Sequence, residues 1–138
     1  MFARPPLRFP DVEAWAVAYL VAALAARPVG ETYADNVTVT AYWPDQSMPG
    51  RLVVVRDDGG PRVSAVTKLC SLAVNVWAET EEVATDLTLL VAGLLEQAPG
   101  NGSVVRHDGA TGPARVEESS EKPHRYLTAD LVVRGADL

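Results

Sequence analysis

Leu69-Cys70-Ser71-Leu72-Ala73-Val74-Asn75-Val76-Trp77-Ala78 passes through Glu79-Thr80-Glu81-Glu82 directly into a second apolar run that reaches Leu95. The first stretch reads as an apolar strand bounded by polar residues. The second reads as a helix beginning near Thr80. Glu81, Glu82 and Asp86 favour the positive end of its dipole. Val83, Leu87, Leu90, Val91 and Leu94 recur at helical spacing and form its expected buried stripe. Ala98-Pro99-Gly100-Asn101-Gly102 ends it. The unit carries no nucleophile, no metal-ligand spacing and no phosphate loop, so it reads as scaffold.

Downstream, Val104-Val105-Arg106 reads as a short strand. His107 to Pro123 is long, polar and rich in Gly and Glu, either a mobile loop or an exposed hairpin around Ala114-Arg115-Val116. In Arg125 to Arg134, Leu127, Ala129, Leu131 and Val133 alternate with Tyr126, Thr128, Asp130 and Val132, which predicts a strand. Upstream, Leu52 to Arg56 is a continuous apolar strand, and Asp57-Asp58-Gly59-Gly60-Pro61 a turn. Arg62 to Thr67 extends as a ribbon into the Leu69–Trp77 strand. Val37 to Tyr42 alternates as a half-buried strand. Trp43 to Gly50 is a loop with Trp43 and Met48 near its ends.

The N-terminal third supplies the other helix. Asp11 is a good N-cap, Val12 to Ala26 the helix, and Pro28 and Gly30 its stop. Val12, Trp15, Tyr19, Ala22 and Ala26 share one apolar face, and Val17, Leu20, Val21 and Leu24 a second. A helix apolar on two sides is buried on two sides, under its own chain or at a subunit contact. Residues 1–10 read as an arm, expected to be mobile because it carries no periodic apolar face. Strands in runs with few helices predict an α+β fold, a mostly antiparallel sheet with two main helices packed on one face. Neither repeat nor linker interrupts the 138 residues, which fit a single domain.

Composition narrows the function classes. Eighteen acidic against 12 basic residues give a net charge of −6. That disfavours a dedicated nucleic-acid binder, which needs Lys and Arg for phosphates. It equally disfavours docking on anionic lipid. Cys70 stands alone, excludes an intrachain disulfide and reads as a buried, inert thiol. The start does not resemble a signal peptide, and the uncharged run Ala14 to Ala26 is too short to span a bilayer. The triplets Asn36-Val37-Thr38 and Asn101-Gly102-Ser103 have no meaning without secretion.

No constellation of chemistry emerges. His107 and His124 lack spaced partners and read as solvated loop residues. Asp57 and Asp58 are explained by their turn, and Glu79, Glu81 and Glu82 by the helix start. Glu117, Glu118 and Glu121 are explained by a solvated loop. Gly109-Ala110-Thr111-Gly112-Pro113 lacks the lysine of a phosphate loop, and no serine sits in a nucleophile elbow. No catalytic residue, cofactor or metal site is expected.

Taken in order, five landmarks resemble the tail terminator proteins of long-tailed bacteriophages, especially those of actinobacterial hosts. They are Phe9-Pro10-Asp11-Val12-Glu13; Leu52-Val53-Val54-Val55-Arg56 with Gly59-Gly60-Pro61-Arg62; and Val74-Asn75-Val76-Trp77-Ala78 with Glu81-Glu82-Val83-Ala84. Gly112-Pro113 follows, then Pro123-His124-Arg125-Tyr126 leading into Leu131-Val132-Val133-Arg134-Gly135. The resemblance implies a virion protein assembled in the host cytoplasm. It implies a ring, usually a hexamer, at the head-proximal end of the tail. Such a ring stops addition of the tube protein and meets the head-completion proteins, while DNA passes through its lumen unbound. Asp57, Asp58, Glu117, Glu118 and Glu121 are the loop carboxylates available to line that lumen. The ring contacts are expected among Val17, Val21, Leu24, Trp43, Met48, Arg115 and Arg125. The Trp43–Gly50 loop departs from the family pattern. Another neck or minor capsid protein, or a small-molecule-binding α+β domain, remains the competing reading.

Overall fold

Both α-helices open on a side-chain cap that the sequence provides. A computed structural model describes residues 6–44, 47–117 and 122–137. Helix α1 spans Val12–Ala25, and the Asp11 carboxylate accepts from the Ala14 amide at 3.1 Å. Helix α2 spans Glu81–Glu96, and the Thr80 hydroxyl accepts from the Val83 amide at 3.2 Å. Both caps satisfy an amide that the helix leaves unbonded.

The strands are β1 (Leu7–Arg8), β2 (Thr38–Thr40), β3 (Leu52–Asp57), β4 (Thr67–Trp77), β5 (Val104–Arg115), β6 (His124–Arg134) and β7 (Ala136–Asp137). A five-stranded sheet runs in the order β2-β3-β4-β6-β5, and β1 and β7 form a separate antiparallel pair. Every neighbour in the large sheet is antiparallel except β2 and β3, which run parallel. Val53, Val55, Cys70, Leu72, Val74, Val76, Leu127, Ala129, Leu131 and Val133 lie on one face by strand alternation and register. They form one core with the buried residues of both helices. This is the expected α+β arrangement, with two helices on one face of a mostly antiparallel sheet.

The hairpin between β3 and β4 depends on its glycines. Gly59 has φ +77°, a backbone region glycine enters without steric cost. A Cβ on Gly60 would run into the Leu69 carbonyl oxygen. The chain stays paired past the turn through a bridge between Arg62 and Lys68.

Packing rotates both helices relative to their expected stripes. In α1 the buried line is Val12, Ala16, Leu20 and Leu24. Ala22 is exposed, and Trp15 and Tyr19 sit half-buried on the flank. Their rings stack at 5.0 Å, and the Tyr19 hydroxyl donates to the Leu94 carbonyl at 2.5 Å. A polar tip with a backbone partner favours that margin over the interior. In α2, Ala84, Leu87, Thr88, Val91, Leu94 and Leu95 are buried, whereas Val83 and Leu90 are only half-buried. Small Ala84 and Thr88 occupy buried positions between the leucines. The Thr88 hydroxyl is satisfied by the Ala84 carbonyl at 2.6 Å.

Three expectations need correction. The strand at Val37 to Tyr42 is confined to Thr38–Thr40. The segment after Arg106 is largely β5, a twelve-residue edge strand against β6. Its register shifts three times, between Val104 and Arg106, His107 and Ala110, and Thr111 and Ala114. Each irregularity breaks the period-two alternation a strand reading depends on, and pairing along one edge needs no apolar side chains. Gly112, in the last shift, has φ +112°, and a Cβ there would lie 2.7 Å from the Tyr126 carbonyl oxygen. The N-terminal arm, finally, is partly ordered: Leu7 and Arg8 pair with Asp137 and Ala136, and Phe9 packs on the core. Residues 1–5 lie outside the described residues.

These placements generate two expectations for solution. Leu87 is fully buried, so Leu87→Ala should lower unfolding free energy by about 2–5 kcal/mol. Leu90→Ala should cost less, and Val21→Ala, on an exposed residue, at most about 0.5 kcal/mol. Urea titrations of the three variants give the ranking, and a Leu90 loss equal to that of Leu87 would contradict this helix rotation. Cys70 is fully buried, and burial pushes its thiol up to about 11. The native thiol should therefore resist a disulfide reagent at pH 8 and react once denaturant opens the core.

Candidate functional site

One end of the helix-free sheet face is closed by three rings. Leu52, Trp77 and His124 lie side by side on β3, β4 and β6. The Trp77 and His124 rings stack with centroids 4.1 Å apart. Trp43 meets Trp77 edge-on at 4.9 Å, an arrangement suited to the ring quadrupoles. The His124 Nε2 and Asn75 Oδ1 are hydrogen-bonded at 2.7 Å. The Lys122 ammonium donates to the Pro49 carbonyl at 2.8 Å, so the segment before β6 fastens the end of the Trp43–Gly50 loop. Trp43 nevertheless remains 58% exposed, and its neighbour Tyr42 77%. Met48 is half-buried.

His124 corrects the solvated-loop expectation. It is the first residue of β6 and only 7% exposed, because pairing with β4 places it beside the indole of Trp77. The alternation of Arg125–Arg134, carried back by one residue, would have assigned it to a strand. His107 also lies on β5, half-buried, with its Nδ1 accepting from the Gly109 amide at 3.4 Å.

The remaining interface candidates separate into surface and interior. Val21 is 50% exposed on α1. Val17 lines an open groove of about 400 Å³ between α1 and β2, together with Ala14, Val39, Thr40 and Tyr42. Leu24 belongs to the core, since its position continues the line of Val12, Ala16 and Leu20, and it is withdrawn as a contact residue. Arg125 is half-buried. Its guanidinium pairs with Glu81 at 2.8 Å and donates to Thr85 at 3.1 Å, tying β6 to the start of α2. Arg115 stays outside on β5, paired with Glu117 at 2.9 Å. Val17 and Val21 thus flank β2 at one edge of the sheet, and Arg115 stands on β5 at the opposite edge.

Charge is largely compensated locally. Arg51 reaches the Thr32 and Asp35 carbonyls at 2.6 and 2.9 Å and pairs with Glu79 at 2.7 Å. Its hydrogen bond holds the Glu79 carboxyl below the usual range. Arg56 does the same to Asp58 across 2.6 Å. Of the carboxylates expected to line a channel, Asp57 and Asp58 belong to the β3 edge and Glu117 follows β5, across β4 and β6. Glu118 and Glu121 lie outside the described residues. Among the described residues, no three His, Cys, Asp or Glu side chains group as a metal site, and no helix is long and apolar enough to cross a membrane.

No protein-family model matches the chain, and no curated protein sequence is significantly similar to it. Among solved structures, its fold matches a chain of a structure described as "Virion of native gene transfer agent (GTA) particle". The TM-score is 0.52 at 16% identity, over 91% of this chain and 98% of that chain. At this identity the likeness is one of fold, and it extends nearly end to end in both chains.

Proposed function

We propose that this chain is a structural protein of a phage-like virion that closes the tail tube as a ring, usually a hexamer in the family it resembles. In that role it stops tube growth, presents a surface to the head-completion protein and lets DNA pass without binding it. The observation that carries the reading is the nearly full-length fold match to a chain from a virion particle. The ordered landmarks of the sequence add a specific place in the tail.

The distribution of surfaces supports a ring. Ring contacts are heterologous, one patch meeting a different patch on the next subunit. The candidate patches lie at opposite edges of the sheet: the Val17 and Val21 side of α1 with β2, and β5 with Arg115. Trp43 and Tyr42, following β2, place aromatic area beside the first edge. β5 is long and outermost, and an unpaired edge of that length invites pairing. Ring closure covers both edges at once.

The decisive experiment removes the protein from tail assembly. Tubes made without it should overgrow, and purified protein added to free tubes should appear as a ring at one tube end by negative-stain imaging. Val21→Glu and Trp43→Ala should reduce ring formation. Val21→Glu should do so without lowering thermal stability, since its side chain is half outside. Unchanged tube length in the absence of the protein would overturn the terminator role and favour a neck position instead.

A further inference from the structure

A glycine follows an aspartate or asparagine at Asp58-Gly59, Asn101-Gly102 and Asp108-Gly109. At such a pair the glycine amide nitrogen can close a five-membered ring onto the preceding side-chain carbonyl carbon, and no side chain shields it. The other two asparagines, Asn36 and Asn75, precede Val37 and Val76. Their β-branched side chains crowd that nitrogen.

The fold separates the three glycine pairs. The Gly59 amide donates to the Asp57 carboxylate at 2.7 Å, and Asp58 is held by Arg56 at 2.6 Å. The Gly109 amide donates to His107 Nδ1 at 3.4 Å, and Asp108 pairs with Arg106 at 3.3 Å. In both, the attacking nitrogen is occupied and the target is an ionised carboxylate, a poor electrophile. Asn101 presents a neutral amide instead. Among the described residues no hydrogen bond engages the Gly102 amide. Asn101 and Gly102 are both exposed, in the turn between α2 and β5. One bond holds the Asn101 side chain, from its Nδ2 to the Ala98 carbonyl at 2.9 Å. At an exposed site water replaces such a bond at little cost.

We infer that Asn101 is a site of spontaneous deamidation through a succinimide formed with Gly102. Solvent base takes the proton of the Gly102 amide as its nitrogen attacks Asn101 Cγ. The Cγ–Nδ2 bond breaks and the side-chain nitrogen leaves as ammonia. Water then opens the ring at either carbonyl, giving aspartate or isoaspartate. The turn is sensitive to this change. The Asn101 amide donates to the Ala98 carbonyl at 2.9 Å, the Gly100 amide to the Val104 carbonyl at 2.9 Å, and the Val104 amide to the Asn101 carbonyl at 3.2 Å. Either product removes the Nδ2 donor and sets a carboxylate beside the negative end of the α2 dipole. Isoaspartate also adds a carbon to the backbone before Gly102. Gly102 sits close under an indole, since a Cβ there would lie 3.1 Å from Trp15 Nε1. Deamidation therefore loosens the joint between α2 and β5. The inference does not rest on the ring reading.

The test is peptide mapping by mass spectrometry on the full chain, kept for days in mildly alkaline buffer. Asn101 should convert to a mixture of aspartate and isoaspartate, while Asn36 and Asn75 stay intact. Asp58 and Asp108 should gain less isoaspartate than position 101. Asn101→Gln, whose longer side chain needs a six-membered ring, should stop the reaction there. Aged protein should melt below fresh protein, and that shift should be missing from aged Asn101→Gln. Asn101→Asp should melt lower without ageing. Asn101 that stays intact under conditions converting it in the urea-unfolded chain would overturn the inference. So would earlier loss at Asn36 or Asn75, or equal isoaspartate at Asp58 or Asp108. Unchanged melting after full conversion would overturn the loosened joint.

Discussion

The antiparallel ladder between β4 and β6 is the constraint on which the rest depends. Two strands of eleven residues each pair in unbroken register, from Thr67 opposite Arg134 to Trp77 opposite His124. The two strands are distant in sequence, so α2 and β5 must be accommodated in the connection between them. That single register puts Cys70, Leu72, Val74 and Val76 on the same face as Leu127, Ala129, Leu131 and Val133. A one-residue slip would send every one of these side chains to the other face. Both helices pack on the face so defined.

The two ends of the ladder carry different chemistry. At the Trp77 end, rings from β4, β6 and the Trp43 loop close the helix-free face, and Arg51 and Arg125 bind Glu79 and Glu81 at the start of α2. At the Thr67 end, the terminal strands, the Arg62 bridge and the end of β6 converge around Phe9, whose ring faces the Arg62 guanidinium and the Lys68 ammonium. The ladder's length, roughly 33 Å at ~3.3 Å per residue, keeps these ends apart.

The outer strands show how exposure erases a sequence signal. β4 and β6 are central, and their apolar residues had to match the core. β5 is outermost, nine of its twelve residues are exposed, and its pairing irregularities displace the side-chain period. Polar composition there is compatible with a strand because the backbone bonds to β6 carry the pairing. The same reasoning covers His124: its character as a loop residue rested on polar neighbours, whereas its burial comes from a rung partner 47 positions earlier, Trp77.

By itself the sequence determined both helix starts, through Asp11 and Thr80, and the strand character of Leu52–Arg56, Leu69–Trp77 and Arg125–Arg134. It also determined the α+β class, the buried state of Cys70 and the Gly59-Gly60 turn. These are local properties, written in caps, glycine conformations and hydrophobic period. Only the tertiary structure decided which stripe of each helix faces inward, that β2 runs parallel to β3, that Leu24 is internal and that Arg125 is half-buried against α2. It alone brought Trp43 onto Trp77 and set Arg62 and Lys68 against the Phe9 ring. Those outcomes depend on which strands become neighbours and on how bulky leucines and small alanines share limited space. No window of the chain contains both partners of such a contact.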